Sequence, residues 1–319
     1  MTKPDFEGEL FFQADDVPRS LETTGKLYAD VDEETGGFAT WIGDHQITVK
    51  VPIFNARDQN MTIDQNGFEL VQHDLNDFDF YNEEQILKEY YPAVNEFMKK
   101  KLGAHEVFTY DHVVRNSGVS SKNVVKSGQK IGGPARKVHG DYAMNGGIIR
   151  VQRLALPPSA GDSFRSINGD KPLISPAKME ELKGRRFAII NLWRSFTDEP
   201  CVDMPLAFCD TKTMKKEDIV TMETRYSAVM IDTYLAGHTP DQKWYYYPEL
   251  LKTEGVLLKT YDTQGELFSE FPDYSYRIDG ESLVPATLTL HSAVPDPRLE
   301  GKEYPKRQSI EIRAVVFYQ

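Results

Sequence analysis

The last strand-like run of the chain, RQSIEIRAVVFY at residues 307–318, decides the fold class. Side chains on a strand point alternately to its two faces. This run therefore places Arg307, Ser309, Glu311 and Arg313 on one face and two isoleucines on the other. Two interpretations stay open for the polar face. It is either an exposed edge strand with a Glu/Arg ladder, or a strand whose arginine and hydroxyl grip a carboxylate.

Five earlier runs have the same strand-like character, with little helical pattern between them. They are RRFAIINLWRSF at 185–196, RYSAVMIDTYL at 225–235, KWYYYPEL at 243–250, GVLLKTYDT at 255–263 and LVPATLTLH at 283–291. Strands that follow each other so closely pair mostly antiparallel. The pattern predicts a sandwich or barrel and argues against a parallel doubly wound sheet.

The first 105 residues read as a β-rich leader followed by one long helix. Asn82 can cap this helix, Lys99–Lys101 occupy its last turn, Gly103 ends it and Pro92 is expected to kink it. A second, short helix is predicted at 176–183. With 319 residues and no internal repeat, we expect a single domain over residues 1–319.

Composition excludes several classes of protein. The chain is 40% hydrophobic and carries a formal net charge of −12, so we expect neither a nucleic-acid partner nor a membrane partner. The stretch MTKPDFEGELFF at 1–12 lacks a basic region followed by an apolar core, and no run approaches about 18 apolar residues, so we expect a cytoplasmic protein. Its two cysteines, Cys201 and Cys209, are predicted to be reduced thiols. The sequence does not indicate the oligomeric state.

The segment at 116–138 is rich in Ser, Gly and Lys and lacks a periodic apolar pattern. We expect a mobile loop there. It is either a surface insertion or a lid that folds over a bound substrate.

The motif VHGDY at 138–142 is the first sign of chemistry. On a strand, His139 and Asp141 share one face, so an imidazole and a carboxylate can reach a single ion. With 7 histidines and 49 acidic residues among 319 positions, about one such pair arises by chance. A third ligand is therefore needed. His291, at the end of a strand-like run, would complete a two-histidine, one-carboxylate set that suits iron(II) oxygenases. A structural zinc site would need a fourth ligand, and no clear candidate is present.

Several passages together resemble one family. They are VHGDY at 138–142, INLWRSFTDEPCVDMPLAFCD at 190–210, WYYYPEL at 244–250, LLKTYDT at 257–263 and HSAVPDPRLEGKEYPKRQSIEIRAVVFY at 291–318. The chain is similar to the iron(II)/2-oxoglutarate-dependent oxygenases. More narrowly, it resembles the microbial hydroxylase/desaturase family of secondary metabolism, which includes gibberellin desaturase-like and cephamycin methoxylation-associated proteins.

This resemblance implies a mainly β fold with flanking helices, a double-stranded β-helix or jelly-roll barrel, whose core spans residues 106–319. It implies that His139, Asp141 and His291 bind Fe(II), and that Arg307 with Ser309 binds 2-oxoglutarate. The separation of 16 positions between His291 and Arg307 is long for the superfamily, so Arg313 is an alternative clamp. Dioxygen and a small-molecule metabolite would be the other reactants, with hydroxylation, desaturation and oxidative cyclisation all open.

Three further residues are candidate substrate contacts, namely Asn191 and Arg194 in NLWRSF and Tyr142 beside Asp141. Arg194 needs an anionic partner, either a structural acid such as Asp203 or a substrate carboxylate. Tyr142 either lines the pocket or packs away from it.

Two rival functions remain open at this point. One is a metal dioxygenase that does not use 2-oxoglutarate, and the other is a non-catalytic accessory protein on the same scaffold.

Overall fold

The computed structural model describes residues 3–32, 37–74, 78–119, 124–126, 129–226, 230–271 and 281–319, and these residues form seventeen strands. Within these residues the strands are β1 (Phe6–Gln13), β2 (Tyr28–Asp32), β3 (Gly37–Ile42), β4 (Gln46–Asn55), β5 (Phe68–Gln72), β6 (Glu106–Asn116), β7 (Val124–Lys126), β8 (Gln129–Gly132), β9 (His139–Gly140), β10 (Phe187–Ser195), β11 (Leu206–Cys209), β12 (Ile219–Arg225), β13 (Met230–Ala236), β14 (Trp244–Tyr246), β15 (Glu254–Asp262), β16 (His291–Ala293) and β17 (Gln308–Phe317).

The strands form two sheets. One has ten strands in the order β1-β4-β14-β11-β16-β9-β13-β12-β2-β3, and the other has seven in the order β5-β15-β10-β17-β6-β8-β7. Neighbouring strands are antiparallel except for the pairs β4/β14, β2/β12 and β6/β8. The predicted fold class, mainly β with mostly antiparallel pairing and flanking helices, is confirmed.

Five α-helices lie in the described part of the chain: α1 (Glu83–Gln85), α2 (Tyr91–Leu102), α3 (Met144–Leu154), α4 (Arg165–Asn168) and α5 (Pro176–Leu182). A π-helical turn at Ile86–Tyr90 joins α1 to α2. Short 3-10 turns occupy Thr211–Thr213, Lys216–Asp218, Glu266–Phe268 and Pro297–Leu299. None of the described helices combines the length and the hydropathy needed to cross a bilayer.

The predicted long helix is present, with an irregular turn where a kink was expected. The Asn82 side chain accepts a hydrogen bond from the Gln85 N–H, and Gly103 ends the helix in the left-handed region with φ +62°. The irregular π-helical turn ends at Tyr90, two residues before Pro92. Proline has no N–H to donate to the carbonyl four residues earlier, which accounts for the change in helical hydrogen bonding.

Helix α2 covers one face of the seven-stranded sheet. Ile190 of β10 and Ile310 and Ile312 of β17 belong to one apolar cluster with Val94 and Met98 of α2. The alternate side chains of β10 and β17 point to the opposite face of this sheet. That opposite face carries the predicted polar residues of β17.

The predicted loop at 116–138 contains two short strands. Strand β7 pairs with β8, and β8 pairs with the end of β6 at the edge of the seven-stranded sheet. Residues 120–123 and 127–128 lie outside the described residues, so the predicted mobility and lid function stay predictions.

Two buried histidines near α2 should make the metal-free protein less stable in acid. Burial and then Arg194 lower the pKa of His73 to about 3, and burial lowers the pKa of His112 to about 4. Unfolding restores a pKa near 6.5, so the unfolded state binds protons first as the pH falls. We expect the free energy of unfolding to fall by about 1.4 kcal/mol per pH unit per histidine below pH 6.5.

Urea unfolding of wild type and of His73→Gln at pH 7, 6 and 5 tests this expectation. The variant should show the shallower dependence on pH, because it lacks one of the histidines that take up a proton on unfolding. Equal slopes for the two proteins would contradict the prediction.

Candidate metal centre

Three potential ligands from distant parts of the chain meet at one point. His139 of β9 and His291 of β16 are directly opposite each other in an antiparallel pair, and Asp141 follows β9 at a bend. One ligand atom from each residue lies within 4.8 Å of the other two. Asp141 Oδ1 is 3.6 Å from His139 Nε2 and 3.8 Å from His291 Nε2. The structure thus brings together the predicted histidine, aspartate and histidine.

Each imidazole is oriented by a contact with the backbone carbonyl two residues before it in the chain. His139 Nδ1 lies 2.7 Å from the Lys137 carbonyl oxygen, and His291 Nδ1 lies 3.1 Å from the Thr289 carbonyl oxygen. A carbonyl can only accept, so each Nδ1 carries the proton and donates it. Both Nε2 atoms are then unprotonated and face Asp141, which is the arrangement required of metal-ligating histidines.

The electrostatics of the cluster favour the ligating forms of all three residues. Burial, assisted by His291, lowers the pKa of His139 to about 4, and burial also lowers the pKa of His291. Burial alone would raise the pKa of Asp141, but Arg313 and the two histidines outweigh it and lower that pKa. Two neutral imidazoles and one carboxylate are therefore present at neutral pH. This donor set fits iron(II) with coordination positions left open.

The second carboxylate oxygen of Asp141 is held by another strand. Asn191 of β10 donates a hydrogen bond from Nδ2 to Asp141 Oδ2 at 2.7 Å, and Arg313 Nε lies 3.8 Å from the same oxygen. Asn191 was predicted to contact the substrate. The structure places the Asn191 side chain against Asp141 Oδ2, while Asp141 Oδ1 faces the two histidines.

We expect Asn191→Ala to weaken metal binding by about 10- to 100-fold, because the amide orients the ligating carboxylate. Anaerobic titration calorimetry with Fe(II) would measure this change. Asn66→Ala is a matched control, since Asn66 donates to Asp210 Oδ1 at 3.0 Å in another buried Asn–Asp pair. An equal loss of affinity in both variants would contradict a specific role for Asn191.

The ligands open into a cavity between the two sheets. Its lining combines metal-site residues with the polar face of β17: Val113, Arg115, Ala135, His139, Trp193, Leu206, His291, Arg307, Ser309, Glu311 and Arg313. The alternation predicted for residues 307–313 therefore directs the four polar side chains into the same cavity as the two histidines.

Arg307 and Arg313 differ in their partners. Arg313 is 3.0 Å from Asp111, 3.1 Å from Glu311 and 3.8 Å from Asp141. Arg307 is 1% exposed, donates from Nε to Ser309 Oγ at 3.1 Å and donates from Nη1 to the Met204 carbonyl. No carboxylate of the described residues forms a salt bridge with it, and burial lowers its pKa to about 10. Such a buried cation calls for an anionic ligand.

Two predicted substrate contacts do not reach this cavity. Arg194 lies on the opposite face of β10, with its guanidinium 5.4 Å from the Phe80 ring centre and a hydrogen bond to the Lys252 carbonyl. Tyr142 belongs to the core, where its hydroxyl lies 2.6 Å from that of Tyr110. Neither side chain lines the cavity, and a role of Arg194 or Tyr142 in binding the substrate stays a prediction.

Two charged lining residues, Arg115 and Glu311, were not assigned to the site from the sequence. Glu311 was placed on the correct face but without a role. Arg115 was not singled out, although its position two residues after Val113 puts both side chains on one face. The alternation of β6 was the available signal.

Comparison with known proteins identifies the family of the chain. The profile of the family described as "Oxidoreductase/YMDC permease-like domain" matches residues 23–317. The chain belongs to this oxidoreductase family. A relative from Methylophilus leisingeri, an uncharacterized protein in the dcmA 3′ region, is 33% identical over 196 residues, covering 59% of this chain and 90% of the relative.

A second relative of this oxidoreductase chain is the alpha-ketoglutarate-dependent dioxygenase phiK of a fungal species. It is 27% identical over 271 residues, covering 84% of this chain and 83% of the relative. Among solved structures, the iron and alpha-ketoglutarate-dependent endoperoxidase NvfI matches with a TM-score of 0.69 and 23% identity over 99% of both chains. The predicted jelly-roll fold and the predicted relationship to iron(II)/2-oxoglutarate oxygenases are confirmed.

Proposed function

We propose that this oxidoreductase is a non-haem iron(II), 2-oxoglutarate-dependent oxygenase that oxidises a small-molecule metabolite by hydrogen abstraction. The observation that carries the proposal is one cavity that holds both a two-histidine, one-carboxylate cluster and Arg307, a buried arginine that forms no salt bridge with a carboxylate of the described residues. The names of the dioxygenase relatives support the same reaction class.

His139 Nε2, Asp141 Oδ1 and His291 Nε2 would hold the iron. When bound, iron(II), 2-oxoglutarate and dioxygen supply the oxidising chemistry that removes a hydrogen atom from the substrate. The chain's own residues position these reactants and keep water away. Asn191 and Arg313 fix the Asp141 carboxylate, and the Lys137 and Thr289 carbonyls fix the two imidazoles.

Arg307 and Ser309 are the proposed clamp for the remote carboxylate of 2-oxoglutarate. The Ser309 hydroxyl receives a hydrogen bond from Arg307 Nε, so the two groups act from adjoining positions. Arg313 is the weaker candidate because Asp111 and Glu311 already pair with it. This difference also favours the proposal over a metal dioxygenase that does not use 2-oxoglutarate.

The broader description of the protein follows the same proposal. Residues 1–319 would act as one oxygenase domain, with the leader and the helix at 1–105 packed on the barrel core at 106–319. A cytoplasmic location stays a prediction. The intact ligand cluster argues against the accessory-protein alternative, since an accessory protein has no need of a formed metal site.

Anaerobic spectroscopy tests the proposal directly. Iron(II) and 2-oxoglutarate added to the protein should produce a weak visible charge-transfer band, and air should then yield succinate. His139→Ala should lose both signals. A missing band with bound iron, or succinate formation that survives in His139→Ala, would overturn the proposed function.

A further inference from the structure

A second cavity lies beside the start of helix α3, apart from the metal centre. This α3 cavity has a volume of about 230 Å³, and its polar lining side chains include Glu22, Asn145 and Asp232. Among the described residues, none that lines the α3 cavity also lines the cavity of the metal centre. A molecule bound beside α3 would therefore be a ligand other than the substrate oxidised at the metal.

Asp232 and Asn145 leave two hydrogen-bond acceptors without a donor in this cavity. Asn145 donates from Nδ2 to Asp232 Oδ2 at 2.7 Å. Because a carboxylate oxygen accepts, this bond directs the amide nitrogen at Asp232 and leaves Asn145 Oδ1 as an acceptor. Asp232 is only 4% exposed, and neither its Oδ1 nor Asn145 Oδ1 receives a hydrogen bond from a described residue. Buried acceptors of this kind are costly to leave unpaired, so the pair calls for a ligand that donates.

The charges around this acceptor pair are negative. Asp232 lies directly opposite Glu223 in the pairing of β12 with β13, and like charges in that position repel each other. Burial raises the pKa of Asp232, the hydrogen bond from Asn145 opposes this rise, and the charge of Glu223 adds to it. No lysine, arginine or histidine of the described residues forms a salt bridge with Asp232, since Arg225 pairs with Glu223 at 2.6 Å. With Glu22 also in its wall, the cavity favours a cationic ligand.

The lining favours an organic ammonium group over a metal ion. Within the described ranges, no cluster of three potential metal ligands includes Asp232, whereas calcium takes six to eight oxygen ligands. An ammonium group has three N–H donors and can satisfy both free acceptors at once. Leu21, Ala143 and Met144 complete the wall with apolar surface, which the carbon chain of an amine can cover.

We propose that the α3 cavity binds the primary ammonium group of a small organic amine. Asp232 Oδ1 and Asn145 Oδ1 accept its N–H groups, and its carbon chain packs against Leu21 and Met144. A charged donor on a buried carboxylate forms a stronger hydrogen bond than a neutral donor does. This inference goes beyond the proposed function and does not depend on it, because the metal ligands take no part in the site.

Three probes with the same carbon chain test this inference. They are hexylammonium, hexyltrimethylammonium, which keeps the charge but has no N–H, and uncharged 1-hexanol. Each is titrated by calorimetry at pH 7 into the full chain, anaerobically, with and without iron(II). We expect hexylammonium to bind about tenfold or more tightly than either of the other two. Its affinity should be the same with and without iron.

Three variants locate the binding. Asp232→Asn keeps the shape of the side chain but removes its charge, so it should bind hexylammonium no more tightly than 1-hexanol. Asn145→Ala keeps the charge and removes one acceptor, and should weaken hexylammonium binding by about threefold or more. Asp210→Asn is the matched control, because Asp210 belongs to the buried pair with Asn66 and does not line this cavity. It should bind hexylammonium as tightly as wild type does.

Several results would overturn the inference. One is equal binding of hexylammonium and hexyltrimethylammonium by wild type, which would indicate general attraction to an acidic chain. Another is a preference for hexylammonium that persists in Asp232→Asn. Displacement of hexylammonium by equimolar calcium or magnesium would assign the cavity to a metal ion. Binding that requires iron(II) would place the amine at the metal centre instead.

Discussion

His291→Ala should remove stoichiometric iron binding and lower succinate formation by roughly 10³-fold or more, because only two ligands then remain for the ion. The histidine is 3% exposed and its imidazole directly faces that of His139, with ring centres 4.3 Å apart. Among the described residues, no further histidine, cysteine or acidic side chain belongs to this ligand cluster. Metal analysis after anaerobic loading, together with a succinate assay, measures both effects.

His45→Ala is the matched control for this substitution. His45 lies on the surface beside Asp16, so its removal should leave iron content and turnover at the wild-type level. Retention of one tightly bound iron per chain in His291→Ala would exclude His291 as a ligand. A loss of iron in both variants would point to a general defect in folding.

Arg307→Met should raise the KM for 2-oxoglutarate by about 100-fold while leaving iron affinity unchanged. The substitution keeps an apolar stem against Trp193 but removes the fork that grips a carboxylate. Arg307→Lys should recover only part of the affinity, because an ammonium group does not match both carboxylate oxygens. Steady-state kinetics and anaerobic titration of the charge-transfer band provide the two measurements.

Arg313→Met separates the two candidate clamps. Arg313 contacts Asp141 and Asp111, so its loss should weaken iron binding as well as turnover. A rise in the KM for 2-oxoglutarate in Arg313→Met, with no rise in Arg307→Met, would transfer the clamp to Arg313.

The alternation of side chains along each single strand could be predicted from the sequence. Arg307, Ser309, Glu311 and Arg313 share one face because strand geometry has a period of two residues, whatever the strand packs against. The same rule places Asn191 and Arg194 on opposite faces of β10. It could not show which face meets the cavity or which carboxylate comes near each arginine. Those answers depend on contacts between strands far apart in sequence.

Helix α3 shows a different limit of sequence reading. Its sequence, MNGGIIRVQRL at 144–154, contains two adjacent glycines and was not predicted to be helical, since glycine disfavours helix interiors. In the fold these glycines permit close packing. A Cβ on Gly146 would lie 2.5 Å from the Asp232 carbonyl oxygen, and one on Gly147 would lie 2.5 Å from the Tyr261 ring. Tertiary contact therefore overrides local propensity here.

The antiparallel pairing of β9 with β16 also has a consequence for folding. The positions of its two histidines, 139 and 291, differ by 152, so an ion held between them closes a very long loop. The entropy that an unfolded chain loses on closing a loop grows with the logarithm of loop length. A bound ion would thus cross-link two residues that are separated by nearly half of the polypeptide. No fragment that ends before residue 291 could assemble the complete ligand set.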